Sequence, residues 1–89
     1  MNGEGRTMDQ RIFSMGLSVE AVSLYLLCCG LTDQGATVSR KNLAGSWTGT
    51  EEGMELSFVE LAAHGIVKRI LSDGEKNEVF RVMPSDHWR

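Results

Sequence analysis

Cys28 and Cys29 are the only cysteines in the chain, and with its only histidines, His64 and His87, they make four residues of metal-ligand type. No pair among the four has zinc-site spacing, and the cysteines stand side by side in an apolar stretch predicted to face a core. They read as buried reduced thiols rather than as a disulfide or a redox pair. His64 reads as a partner for a helix C-terminus. Neither a metal nor any other cofactor is expected. No nucleophile stands with a plausible base, no glycine loop ends in a phosphate-holding lysine, and no carboxylates pair in an apolar setting, so the chain is predicted not to be an enzyme.

What remains for chemistry is charge. Arg40 and Lys41, Lys68 and Arg69, and Lys76 with Arg81 are the cations that could meet phosphate, while Glu51, Glu52 and Glu55 are clustered acids that could meet a basic protein. The formal net charge is -3, whereas chains that hold nucleic acid through phosphate contacts usually carry a basic excess. Trp88, in the terminal run His87-Trp88-Arg89, either covers the domain or anchors a partner.

These residues need elements to hold them. Ser18 is a helix N-cap type, Glu20 suits the first turn, and Val22 through Cys29 are apolar on so many sides that this is the predicted central helix, with Gly30 as its stop. Thr32 to Gly35 is turn chemistry, and Ala36-Thr37-Val38 is a β-prone run predicted as a short edge strand. Ser39 caps a second helix in which Leu43 and Trp47 form an i, i+4 apolar pair, with Ala44 at a close-packing point. Thr48-Gly49-Thr50 breaks it and caps a third helix, in which Met54, Phe58 and Leu61 recur at helical spacing until Gly65. Ile66 to Leu71 and Glu78 to Met83 are β-rich runs joined through a turn with Asp73-Gly74, and Pro84 ends the second. Gly45, Gly49 and Gly53 read as joints around the turn.

At 89 residues the chain can build one core. The expected division is a partly flexible tail over 1–16, a domain over 17–84 and a C-terminal tail over 85–89. Ile12, Phe13 and Met15 form an apolar knot that packs on the domain or on a second copy, which raises a homodimer. The most apolar stretch, Leu17 to Leu31, is shorter than the roughly 20 residues of a membrane span, and the first residues do not read as a signal peptide, so no membrane contact and a cytoplasmic location are expected.

The predicted fold class is α+β, mainly helical with a small sheet, in the order helix, strand, helix, helix, strand, strand. That order and the spacing of Leu43-Ala44, Met54, Phe58, Leu61 and Gly65-Ile66-Val67 resemble the winged helix-turn-helix superfamily, and Leu17 to Leu27 loosely resembles the first helix of its replication-initiator members. The resemblance implies a regulator that binds DNA, with helix three reading bases, helix two touching phosphate and the hairpin lying beside the minor groove. Glu51, Glu52, Glu55, Leu56 and Val59 would then face outward on the reading helix, and none is basic. The expected partner is therefore DNA, contacted through the hairpin and helix two rather than through helix three, and the alternative is a basic protein, contacted through the acidic helix face.

Overall fold

The structure, a computed structural model, describes residues 7–71 and 78–89. Helix α1 (Val19–Asp33) opens where Ser18 accepts the Ala21 N–H, and Glu20 sits in its first turn. It buries Ala21, Leu24, Tyr25, Cys28 and Cys29, which makes it the centre around which the other elements pack. Gly30, expected to stop it, lies inside the helix. Gly35 is the residue that takes the left-handed conformation, at φ 76°, and the chain closes there with Gly35 N–H donating to Thr32 O and Ala36 N–H to Leu31 O. The extra turn carries Leu31, which packs against the core.

Helix α2 (Arg40–Ala44) is capped by Ser39, whose hydroxyl accepts the Asn42 N–H, and it is shorter than expected. Leu43 is buried, but Ala44 is exposed and Trp47 lies beyond the helix, its indole N–H donating to Thr50 O at 2.8 Å. Gly45 follows Ala44 directly, and the Ser46 and Trp47 amides both turn back to Leu43 O. The predicted helical pairing of Leu43 with Trp47 is therefore replaced by a turn. Helix α3 (Glu51–Ala63) begins at Thr50, which accepts the Gly53 N–H, and buries Met54, Ser57, Phe58 and Leu61. Ser57 is satisfied by donating to Gly53 O at 2.8 Å. Gly65, at φ 70°, ends α3 with the same paired bonds that end α1, Gly65 to Ala62 O and Ile66 to Leu61 O.

Strands β1 (Val67–Leu71) and β2 (Val79–Val82) pair antiparallel, with Lys68 opposite Arg81, Arg69 opposite Phe80 and an irregularity between Arg69 and Leu71. The turn predicted at Asp73-Gly74 and the candidate cation Lys76 lie outside the described residues. The run Ala36-Thr37-Val38 is not a strand. Its place beside β2 is held by a single bridge, Ser39 to Val79, flanked by Phe80 N–H to Val38 O and Arg40 N–H to Glu78 O. Ser39 is also the N-cap of α2, so the chain turns into a helix where a strand would continue. The described residues thus form an α+β domain of three α-helices and a two-stranded antiparallel sheet.

The boundaries expected at residues 17 and 84 cut through packed structure. Ile12, in a 3₁₀ helix over Gln10–Ser14, is fully buried, and Met15 packs against the core while Phe13 stays exposed. Asp9 N–H donates to the Tyr25 hydroxyl, and Thr7 donates twice to the Asp33 carboxylate. At the other end Trp88 meets Tyr25 edge to face at 5.5 Å, its indole N–H donating to Met83 O. Arg89 N–H reaches His64 O, and His64 Nδ1 donates to the Arg89 main-chain oxygen at 2.5 Å. Both ends therefore clamp α1 and the end of α3. No helix among the described residues is long and apolar enough to cross a membrane.

A candidate partner-binding face on the third helix and hairpin

Helical periodicity decides which side chains α3 offers. With Met54, Ser57, Phe58 and Leu61 turned inward, Glu51, Glu52, Glu55, Leu56, Val59, Ala62 and Ala63 are all exposed. Leu56 and Val59 are 63% and 59% exposed, a stripe of uncovered aliphatic surface bounded by acids toward the N-terminus. Glu51 and Glu52 lie in the first turn, where the helix dipole favours them. Glu60 leaves this face and clamps α1, its carboxylate accepting both the Ser18 amide and the Ser18 hydroxyl at 2.8 Å.

The cations expected to contact phosphate divide into two groups. Arg40 is only 17% exposed; its Nη2 lies 2.5 Å from Glu55 and 2.8 Å from Glu78, and its guanidinium sits 5.6 Å from the centre of the Phe58 ring. Arg69 donates to the other Glu78 oxygen at 2.7 Å. A chain of charges, Glu55, Arg40, Glu78, Arg69, thus ties α2, α3 and the hairpin together and is neutral as a whole. Hydrogen bonds from Arg40 first and Arg69 second hold the Glu78 carboxyl below the usual carboxylate range, against the opposing pull of partial burial. Arg40, expected at the phosphate backbone, is instead an internal partner, because two carboxylates close over its guanidinium. Lys41, Lys68 and Arg81 form the second group and are exposed. Lys68 and Arg81 stand directly opposite each other, a juxtaposition of like charges that works against the strand pair.

Between α3 and the hairpin lies a cleft of about 120 Å³. Its floor is apolar, made by Val59, Ala62, Val67 and the stacked rings of Phe58 and Phe80, whose centroids are 4.0 Å apart. Glu55, Arg40, Glu78 and Arg69 form its polar wall. Glu78 was not singled out from the sequence. It acts on residues 38 and 9 positions away, a spacing that no local pattern encodes.

Trp88, a candidate partner anchor, is half-buried against the core and has its N–H satisfied, so it covers the domain. Cys28 and Cys29 are free and buried in α1. Burial pushes the Cys28 thiol up to about 12 and the Cys29 thiol up to about 11, which keeps both neutral and poorly nucleophilic. A disulfide-exchange reagent near neutral pH is expected to leave both thiols unlabelled in the native protein and to titrate both in denaturant. Rapid labelling of the native chain would contradict this. The folded values lie above the ordinary value of 9.0, so the thiols contribute full stability below it and lose that contribution as pH rises toward 11 and 12.

No family model, curated protein or solved structure matches this chain.

Proposed function

We propose that the chain is a winged-helix domain in which the third helix serves protein contact, with its outward face of Glu51, Glu52, Glu55, Leu56 and Val59 as the contact surface. The helix order and the inward positions Leu43, Met54, Phe58, Leu61, Ile66 and Val67 support the winged-helix reading. The observation that carries the choice of partner is the commitment of Arg40 and Arg69 to Glu55 and Glu78. Two of the cations that would have faced phosphate are neutralised within the molecule, and the helix that would enter a groove presents acids and aliphatic side chains. A duplex would find no free charge at the first and repulsion from the acids of the second, whereas a protein interface can use an acidic and aliphatic helix face.

A second reading is DNA contact led by the hairpin and α2, in a regulator of transcription or replication. It is favoured by Lys68 and Arg81, exposed across the strand pair, and by Lys41 on α2. Titration against a random-sequence duplex at low and at moderate salt separates the two. The protein-contact reading expects no saturable binding at either. Saturable low-salt binding that weakens with salt and is lost in Lys68→Glu or Arg81→Glu would replace it with the hairpin-led one.

A further inference from the structure

The outward side of α3 has the spacing of a helix seam. Glu52, Leu56, Val59 and Ala63 recur at alternating intervals of four and three, the repeat by which one helix packs along another, and all four are exposed. Toward α1 this seam is bounded by Glu60, which is taken up by Ser18. On its other flank Glu55, Val59 and Ala62 form the rim of the cleft floored by Phe58 and Phe80. At about 120 Å³ that cleft has room for one aliphatic side chain from outside. A ridge beside a cleft fits a second helix, which lays an apolar stripe along Leu56 and Val59 and seats one residue between α3 and the hairpin.

Charge selects the kind of helix. The cleft wall is neutral as a whole, since Glu55 and Glu78 are matched by Arg40 and Arg69. Glu51 and Glu52, by contrast, bridge to no cation among the described residues. The helix dipole places about half a positive charge at this end of α3, which two carboxylates exceed. The uncompensated charge along the seam is therefore negative and confined to its N-terminal end. A second copy of the same face brings nothing to it, because α3 contains no lysine or arginine.

We infer that the seam and cleft receive an amphipathic helix of a different protein, with aliphatic residues at heptad spacing and lysines or arginines at the end that lies over Glu51 and Glu52. This rests on the protein-contact reading above and names its occupant. Val59 at the cleft and Glu52 are two helical turns apart, about 10 Å, so on the partner the cations stand about two turns from the residue that enters the cleft. The aliphatic contacts hold the partner, and the acids select its charge and fix its register. One ridge and one cleft fall at the small end of specific interfaces, so the complex is weak, with a dissociation constant on the order of 10–100 μM.

Fluorescence anisotropy of the full chain with synthetic peptides tests this, with circular dichroism confirming that each variant is folded. The probe is a stapled helical peptide of about 18 residues with leucines at heptad spacing and lysines clustered at one end, and its comparison peptide has glutamates in place of those lysines. The lysine peptide is expected to bind saturably, and the glutamate peptide at least about tenfold more weakly. A Glu51→Gln, Glu52→Gln double variant is expected to lose most of that preference, and Leu56→Asn to weaken the lysine peptide at least about fivefold. Asp86→Asn removes an exposed acid outside the face and is expected to change neither affinity nor preference. Equal binding of the two peptides, failure of both, a double variant that keeps the full preference, an unaffected Leu56→Asn variant, or an Asp86→Asn variant that loses the preference overturns the basic-helix partner. Any of these without duplex binding leaves the protein-contact reading standing with another kind of partner, whereas saturable duplex binding that Lys68→Glu abolishes overturns both.

Discussion

Phe58→Ala is expected to lower the unfolding free energy by about 3–5 kcal/mol, the range for removing a buried aromatic side chain. Phe58 stacks on Phe80 at an interplanar angle of 14°, supports the Arg40 guanidinium and floors the cleft between α3 and the hairpin. Its removal takes away transfer energy, a ring partner and the surface that holds the ion chain. A domain of this size has a total stability of roughly 5–10 kcal/mol, so the loss is a large share of the whole. The melting temperature should fall by about 15–25 °C, measured by thermal circular dichroism. Phe58→Leu, which keeps much of the volume, should cost about 1–2 kcal/mol. An alanine variant that loses less than about 1 kcal/mol would mean that α3 and the hairpin are not joined through this stack.

Glu78→Gln is expected to cost about 2 kcal/mol at neutral pH, the scale of hydrogen bonds to charged groups. The side chain is 12% exposed and joins both Arg40 and Arg69. The amide keeps the shape but not the charge, and it leaves the half-buried Arg40 with Glu55 alone. The pH dependence gives the sharper test. The folded pKa of Glu78 lies below its ordinary value of 4.5, so its contribution is fully present above that value and is lost as pH falls through the lower, folded one. Denaturant melts of the two proteins should therefore diverge at neutral pH and converge as the solution becomes acidic. A difference that stays constant down to low pH would assign the effect to packing rather than to the ion chain.

Much of this arrangement could be read from the chain itself because it depends on neighbours a few residues apart. Ser18, Ser39 and Thr50 cap the three helices through their own hydroxyls, the spacing of Met54, Phe58 and Leu61 sets the inward side of α3, and Gly65 ends it in the left-handed conformation. The winged-helix resemblance implies that Glu51, Glu52, Glu55, Leu56 and Val59 face outward, and all five are exposed. The misreadings come from rival local signals. Gly30 reads as the stop of α1, but the helix runs on to Asp33 and closes at Gly35, and Leu31 of the added turn packs against the core. Ala36-Thr37-Val38 has strand propensity, but its pairing beside β2 is limited to the Ser39 bridge because the chain enters α2 at the next residue.

The dispositions of charge and of the chain ends were beyond any local pattern. Arg40 and Arg69 look like phosphate contacts until the fold brings Glu78 between them, across separations of 38 and 9 residues. Ile12 and Trp88 look like parts of tails until α1 offers Tyr25 to both ends. The sequence by itself determined the starts and caps of the three helices, the two strands of the hairpin and the inward residues of α3, because hydrogen bonds and side-chain direction within an element follow from spacing. Only the tertiary structure decided which cations remain at the surface, because an ion pair depends on distance in space, and no spacing along the chain records it.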